Sequence, residues 1–218
     1  MENEISKEAS DRKLRSEEIL KSKNVPVNPH LPFLEDSSEV LKRSKEEVAI
    51  RAMVLLIVAV KAEGLEQEIV EQLIESYGLS DKLTPNEKEF ITNPEPDQVD
   101  RTQFLWRYEA AWVLLWALGY VEELLPPTDI CDVPAAVTFL QQRTREQFIN
   151  DSVLRPISDI LDENDLIYRY HWAVVDSRVN SLEIPEEIDS SVVLERHYAL
   201  NWLRGYADQE WDDIPTDT

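Results

Sequence analysis

Apolar residues recur along this chain with helical spacing. Projected at about 100° per residue, Ala49 to Val60 and Trp106 to Leu118 are apolar almost all round, and such helices are buried. Ser44-Lys45-Glu46-Glu47 is a capping box that opens an apolar helix to about Glu63, stopped by Gly64. Leu65 to Tyr77 is amphipathic and ends at Gly78. Thr84-Pro85-Asn86-Glu87 supplies an N-cap, a proline in the first helical position and an acid at N3, the start of a short helix. A long helix is predicted from about Asp97 to Leu118, ending at Gly119. Asp132 caps another to about Asn150. Two more cover about Ser158 to Val179 and Ser191 to Arg204, the last stopped by Gly205.

These elements predict an all-α fold. Residues 37–218 form a single helical domain, a bundle-like multi-helix array. Residues 1–36 carry a polar, weakly amphipathic helix from Lys7 to Lys23 and an extended arm, Val25 to Pro32, in which three prolines suppress helix. The arm is expected to wrap the helical body. The end, Trp211 to Thr218, is expected to be an irregular tail pinned by Trp211.

Composition sharpens this picture. Only 4 of 218 residues are glycine, and all four fall at predicted helix ends, so none is left for a phosphate-binding loop. GxGxxG, P-loop and G-x-S-x-G patterns are absent, so no cofactor is implied. The single cysteine, Cys131, excludes an intramolecular disulfide and a multi-cysteine zinc site, and favours a cytoplasmic location. Met1 to Asn24 has no apolar run like that of a signal peptide, and the longest apolar runs are too short to span a bilayer. The net charge of -22 is uneven: residues 1–63 hold 12 acids and 11 bases, and the rest of the chain carries the excess. Such a surface repels phosphate backbones and anionic headgroups. It argues against nucleic acid and membrane as partners and leaves a basic protein as the partner it would attract.

Five charges project onto apolar faces: Arg51, Arg107, Glu109, Glu195 and Arg196. Unpaired buried charge is costly, so these are expected to find one another in an ionic network that locks helix register. Replacing Glu195 with Leu is then expected to destabilise by about 3–5 kcal/mol. On the Ser158 helix, Asp162, Asp165, Arg169 and Asp176 share a stripe, with i,i+4 pairing between Asp165 and Arg169. His171 points away from that stripe, beside Ile160, Ile167 and Val174, and reads as a hydrogen-bonded core histidine rather than a metal ligand. His197 falls on a polar side with Asn201 and Arg204. His30 is expected to be exposed, and Cys131 to be a small buried residue rather than a nucleophile.

Three motifs carry a family resemblance. They are Arg107-Tyr108-Glu109-Ala110 leading into Leu114 to Gly119; Ile160-Leu161-Asp162-Glu163-Asn164-Asp165-Leu166-Ile167-Tyr168-Arg169-Tyr170-His171-Trp172-Ala173; and Glu195-Arg196-His197-Tyr198-Ala199-Leu200-Asn201-Trp202-Leu203 with Trp211-Asp212-Asp213 and Thr216-Asp217-Thr218. The chain resembles, over nearly its whole length, a bacterial family catalogued as domain of unknown function 4272. The resemblance implies a cytosolic protein and brings no activity, cofactor or catalytic residues.

Two readings of function follow. The first is a non-catalytic interaction or regulatory protein whose acidic surface engages a basic partner. The second is an enzyme or small-ligand binder with a polar pocket where the last two long helices meet the Trp106 helix. Its candidate residues are Arg107, Glu109, Asp162, Asp165, Arg169, His171, Glu195, Arg196 and His197.

Overall fold

The computed structural model describes residues 5–183 and 188–218. Its regular elements are all helical: α1 Lys7–Ser22, α2 Lys45–Glu63, α3 Gln67–Ser76, α4 Pro85–Thr92, α5 Gln98–Leu105, α6 Arg107–Ala117, α7 Val133–Gln141, α8 Arg145–Asp151, α9 Ile157–Val179 and α10 Ser190–Leu203, with short 3-10 turns at Tyr206–Asp208 and Trp211–Asp213. No strand occurs among the described residues.

α2 is the hub. Its capping box is complete: the Glu47 amide donates to Ser44 Oγ at 3.2 Å and the Ser44 amide to Glu47 Oε2 at 2.7 Å. Every residue from Val48 to Ala59 is buried except Ile50, as its all-round apolar pattern demands. α3, α4, α5, α6, α7 and α8 all touch α2. On one side the neighbours run outward in the order α6, α10, α9, α1.

Two long helices of the sequence reading are each broken once. Trp106 keeps right-handed helical dihedrals, but the Glu109 amide donates back three residues, to the Trp106 carbonyl, and this tight turn separates α5 from α6. Thr144 and Gln147 form their own capping box, which ends the run begun at Asp132 and starts α8. The four glycines all take positive φ at helix ends. At Gly205 (φ 67°) a Cβ would also lie 2.8 Å from Leu41 Cβ, so that stop admits no side chain without displacement of Leu41.

The N-terminal segment packs against its own body. Leu20 and Val25 join the same apolar core as α2, α6 and α10. α1, however, turns its charged side inward: Arg12, Lys13 and Glu17 are buried, while Leu14 and Ile19 are exposed. Its docking surface on α9 is the Asp162, Asp165 and Arg169 stripe, so the complementary charge lies inside. The proline arm makes few backbone hydrogen bonds, from the Val25 amide to the Leu20 carbonyl and from the Leu31 amide to that of Asn28, and buried cations serve its other carbonyls. Lys13 Nζ donates to the carbonyls of Pro29 and Leu31 at 2.7 and 2.6 Å, Arg12 to that of Glu35 at 3.0 Å, and Arg169 to that of Pro32 at 3.3 Å. At the far end Trp211 is buried edge-on to Tyr198 and Trp202, holding the tail.

Candidate functional site

The break at Trp106 opens a cleft of about 700 Å³, bounded by α2, the α5–α6 turn, the segment before α7, and α7 itself. Leu105 and Trp106 come from the turn, Val60 from α2, and Val133, Pro134 and Val137 from α7. Leu105 and Ile130 stand at its rim with 42% and 63% of their surface in water, an apolar exposure that folding leaves uncovered. Its polar groups are few: two acids, Glu63 and Glu109, with Tyr108, Thr138 and Gln141. The Tyr108 hydroxyl donates to Glu63 Oε2 at 2.8 Å. Glu109, almost wholly buried, accepts the Cys131 amide. No described residue lining the cleft is basic. Burial, reinforced by Glu63, drives the Tyr108 phenol far above its ordinary range. Burial and then Glu109 drive the Cys131 thiol up in the same way, so it stays protonated at neutral pH and is a poor nucleophile.

Of the nine candidates named above, only Glu109 reaches this cleft. The five charges on apolar faces do not make one network. Arg107 pairs with Glu195 (3.0 Å), Arg196 with Glu109 (3.4 Å), and Arg51 with neither. Arg51 instead grips both oxygens of Glu87 at 2.7 and 2.6 Å, while Glu87 also completes the Thr84 capping box. The Arg107–Glu195 pair is half-buried rather than core. Burial still raises the Glu195 carboxyl above its usual range, against the pull of Arg107.

On α9, Asp165 and Arg169 form the predicted i,i+4 pair, bidentate at 2.8 Å and fully buried beneath α1. Asp162 sits at the edge of the same interface and accepts from Arg12 Nε at 3.1 Å and Arg15 at 2.8 Å.

His171 and His197 meet, Nδ1 to Nδ1, at 2.8 Å. The polar side of α10 that carries His197, Asn201 and Arg204 is buried rather than solvated, because the tail and the Glu35 arm cover it. The surroundings set the tautomers. Asn201 Oδ1 faces Arg204 Nε (3.4 Å), a donor only, and its Nδ2 faces the Pro215 carbonyl (2.9 Å), an acceptor only. Asn201 Nδ2 therefore donates to His197 Nε2 at 3.1 Å, leaving the His197 proton on Nδ1, from which it goes to His171 Nδ1. Both rings are neutral. Burial, then His171 and Arg204, push His197 down to about 3; burial, then Arg178, lower His171. With both Nδ1 atoms engaged on each other, and no group of three suitable ligands among the described residues, the pair has the geometry of a structural contact. His30 is exposed.

Several buried charges escaped the helical projection: Arg12, Lys13, Glu17, Lys61, Glu87 and Arg204. The short polar spacing on α1 (Arg12, Lys13, Ser16, Glu17, Leu20) was the available signal, since it marks one helix face. Two groups on α9, Glu163 and Tyr170, also went unread. They line a second pocket, of about 310 Å³, against α10 and the Leu124–Pro127 segment.

Fold and site together define an all-helical protein with an acidic-floored apolar cleft and a set of buried ion pairs. Residues 12–214 match the family described as Domain of unknown function (DUF4272), and the chain belongs to that family. No match was found among curated proteins or among solved structures. No described helix is long and apolar enough to cross a membrane.

Proposed function

We propose that this is a non-catalytic binding protein whose cleft receives apolar anchor side chains from a basic protein partner, acting in the cytosol. The observation that carries the reading is the cleft itself: about 700 Å³, apolar in its walls, acidic at Glu63 and Glu109, without a basic lining residue among those described. A concave apolar site with a few fixed polar groups is the usual form of a binding pocket. A polypeptide rather than a small molecule is favoured by the exposed apolar rim, because Leu105 and Ile130 leave 42% and 63% of their surface in water, area that an extended partner covers. The surplus of acid over residues 64–218 steers a cationic partner and disfavours an anionic one. The protonated, buried state of Cys131 supports binding over nucleophilic chemistry.

The test is fluorescence anisotropy with a labelled amphipathic leucine–lysine peptide and its leucine–glutamate counterpart. The basic peptide is expected to bind, more weakly as salt rises, and to lose about tenfold in affinity when Val137→Lys places a cation in the cleft wall. Equal binding by the acidic peptide, or an unchanged affinity in Val137→Lys, would overturn the reading.

A further inference from the structure

The second pocket carries chemistry of its own. It lies on the opposite side of the Glu109–Arg196 pair from the cleft, between α9, α10 and the Leu124–Pro127 segment, with the end of α1 at its edge. Besides the exposed Glu123 and Lys23, three more enclosed polar side chains line it with unused hydrogen-bonding capacity. The Glu163 carboxylate has no hydrogen bond or ion pair among the described residues, although its neighbours Asp162 and Asp165 are both paired. The Tyr170 hydroxyl likewise has no partner among the described residues, on a side chain that is 3% exposed. Arg196 carries five N–H donors. One holds Glu109 and one the Leu125 carbonyl, so the rest are uncommitted among the described residues. Leu166, Ile167 and Leu200 supply apolar walls.

We propose that this pocket is a binding site for a small apolar α-amino acid. Its ammonium group pairs with Glu163 and Tyr170, its carboxylate with the free edge of Arg196, and its side chain packs on Leu166, Ile167 and Leu200. The Glu163 carboxylate is half-buried and without a protein partner among the described residues, so it is open to a bound cation, and the Arg196 guanidinium lining the same pocket offers a site for an anion. A ligand carrying both charges satisfies both groups. One carrying either alone leaves the other unpaired and adds an uncompensated charge to a partly enclosed space. The volume of about 310 Å³ suits a molecule of that size.

The electrostatics agree. Burial is the largest influence on the Glu163 carboxyl and pushes it up to about 7; Asp162 and Glu123 act in the same direction, and Arg196 and Arg155 oppose them. Glu163 in turn raises the Tyr170 phenol, which burial has already raised. Glu123 and, at the end of α1, Lys23, both exposed, are the other charged groups lining the pocket, one of each sign. An incoming ammonium therefore displaces a proton from Glu163 near neutral pH.

The experiment is isothermal titration of the full chain at neutral pH with L-leucine, 3-methylbutylamine and 4-methylpentanoate, in two buffers of different ionisation enthalpy. Leucine is expected to bind with release of protons, and the amine and the acid about tenfold or more weaker. Glu163→Gln and Tyr170→Phe, both close to isosteric, are expected to weaken leucine by about tenfold, and Glu163→Gln to abolish the proton release. Val137→Lys, in the separate cleft, is expected to leave leucine binding unchanged, so the outcome is independent of the partner-binding reading. Absence of heat from leucine at millimolar concentration, binding of the amine as tight as that of leucine, or undiminished binding by Glu163→Gln would overturn the proposal.

Discussion

Glu109 and Arg196 form the buried contact that stands between the two cavities, with Nε of Arg196 3.4 Å from Oε2 of Glu109. Glu109 lines the apolar cleft and Arg196 the smaller pocket behind it. Neither charge has bulk water to fall back on, and each has a backbone partner besides: the Cys131 amide for Glu109 and the Leu125 carbonyl for Arg196. Removing one half leaves the other stranded. Glu109→Leu is expected to cost about 3–5 kcal/mol in urea unfolding. Glu195→Leu breaks a half-buried pair and is expected to cost about 1–2 kcal/mol, between the exposed and buried limits. The sequence-based figure for Glu195 thus transfers to Glu109. Equal losses in the two variants would contradict the distinction.

Arg51 and Glu87 give a cleaner case, because both are buried and Nη2 of Arg51 lies within 2.7 Å of both carboxylate oxygens. Arg51→Met or Glu87→Leu alone is expected to destabilise by about 3–5 kcal/mol. The double variant is expected to recover to within about 1–2 kcal/mol of wild type, the remaining loss falling on the Thr84 cap. A double-mutant cycle by denaturant unfolding checks this, and strict additivity of the single losses would count against a coupled pair.

The histidine pair sets a pH dependence. His197 is held near 3 in the fold and has an ordinary value near 6.5 when unfolded. Between those values the unfolded chain binds more protons, so stability is present above about pH 6.5 and is lost as the pH falls toward 3. For His197 alone the loss between pH 7 and pH 5 is about 2 kcal/mol. His171, lowered in the fold, adds in the same direction. Urea melts at the two pH values are expected to show that His171→Gln/His197→Gln loses less on acidification than wild type. A double variant as acid-sensitive as the native chain would show that the pair does not titrate in this way.

Much of the architecture can be read from the chain because capping and apolar periodicity are local. Ser44 with Glu47, Thr84 with Glu87, and the four glycine stops each mark a helix end by their own chemistry. The break after Gln141 was legible too, in Thr144 and Gln147, but the helical pattern on either side masks it. The turn at Trp106 leaves no such mark, since its dihedrals stay helical and only one hydrogen-bond step changes. Charge placement divides along the same line. A single-helix projection finds Arg51, Glu109 and Arg196 in the core, and Arg107 and Glu195 at its half-buried margin, because their own neighbours are apolar. It misses Arg12, Lys13 and Glu17, whose burial is decided by the charges of α9 that cover them. Pairing is a property of two helices at once, which is why Glu87 and not Glu109 or Glu195 holds Arg51.

The cleft rests on the same kind of nonlocal fact, the meeting of α2, the Trp106 turn and α7. Its role is tested most directly by mapping where a partner-like ligand touches the protein. A leucine–lysine peptide carrying a benzophenone beside its central leucine, photolysed with the full chain and analysed by mass spectrometry, is predicted to attach to Leu105, Ile130, Val133 or Val137. Attachment confined to α9 and α10, or spread evenly over the acidic surface, would contradict the account.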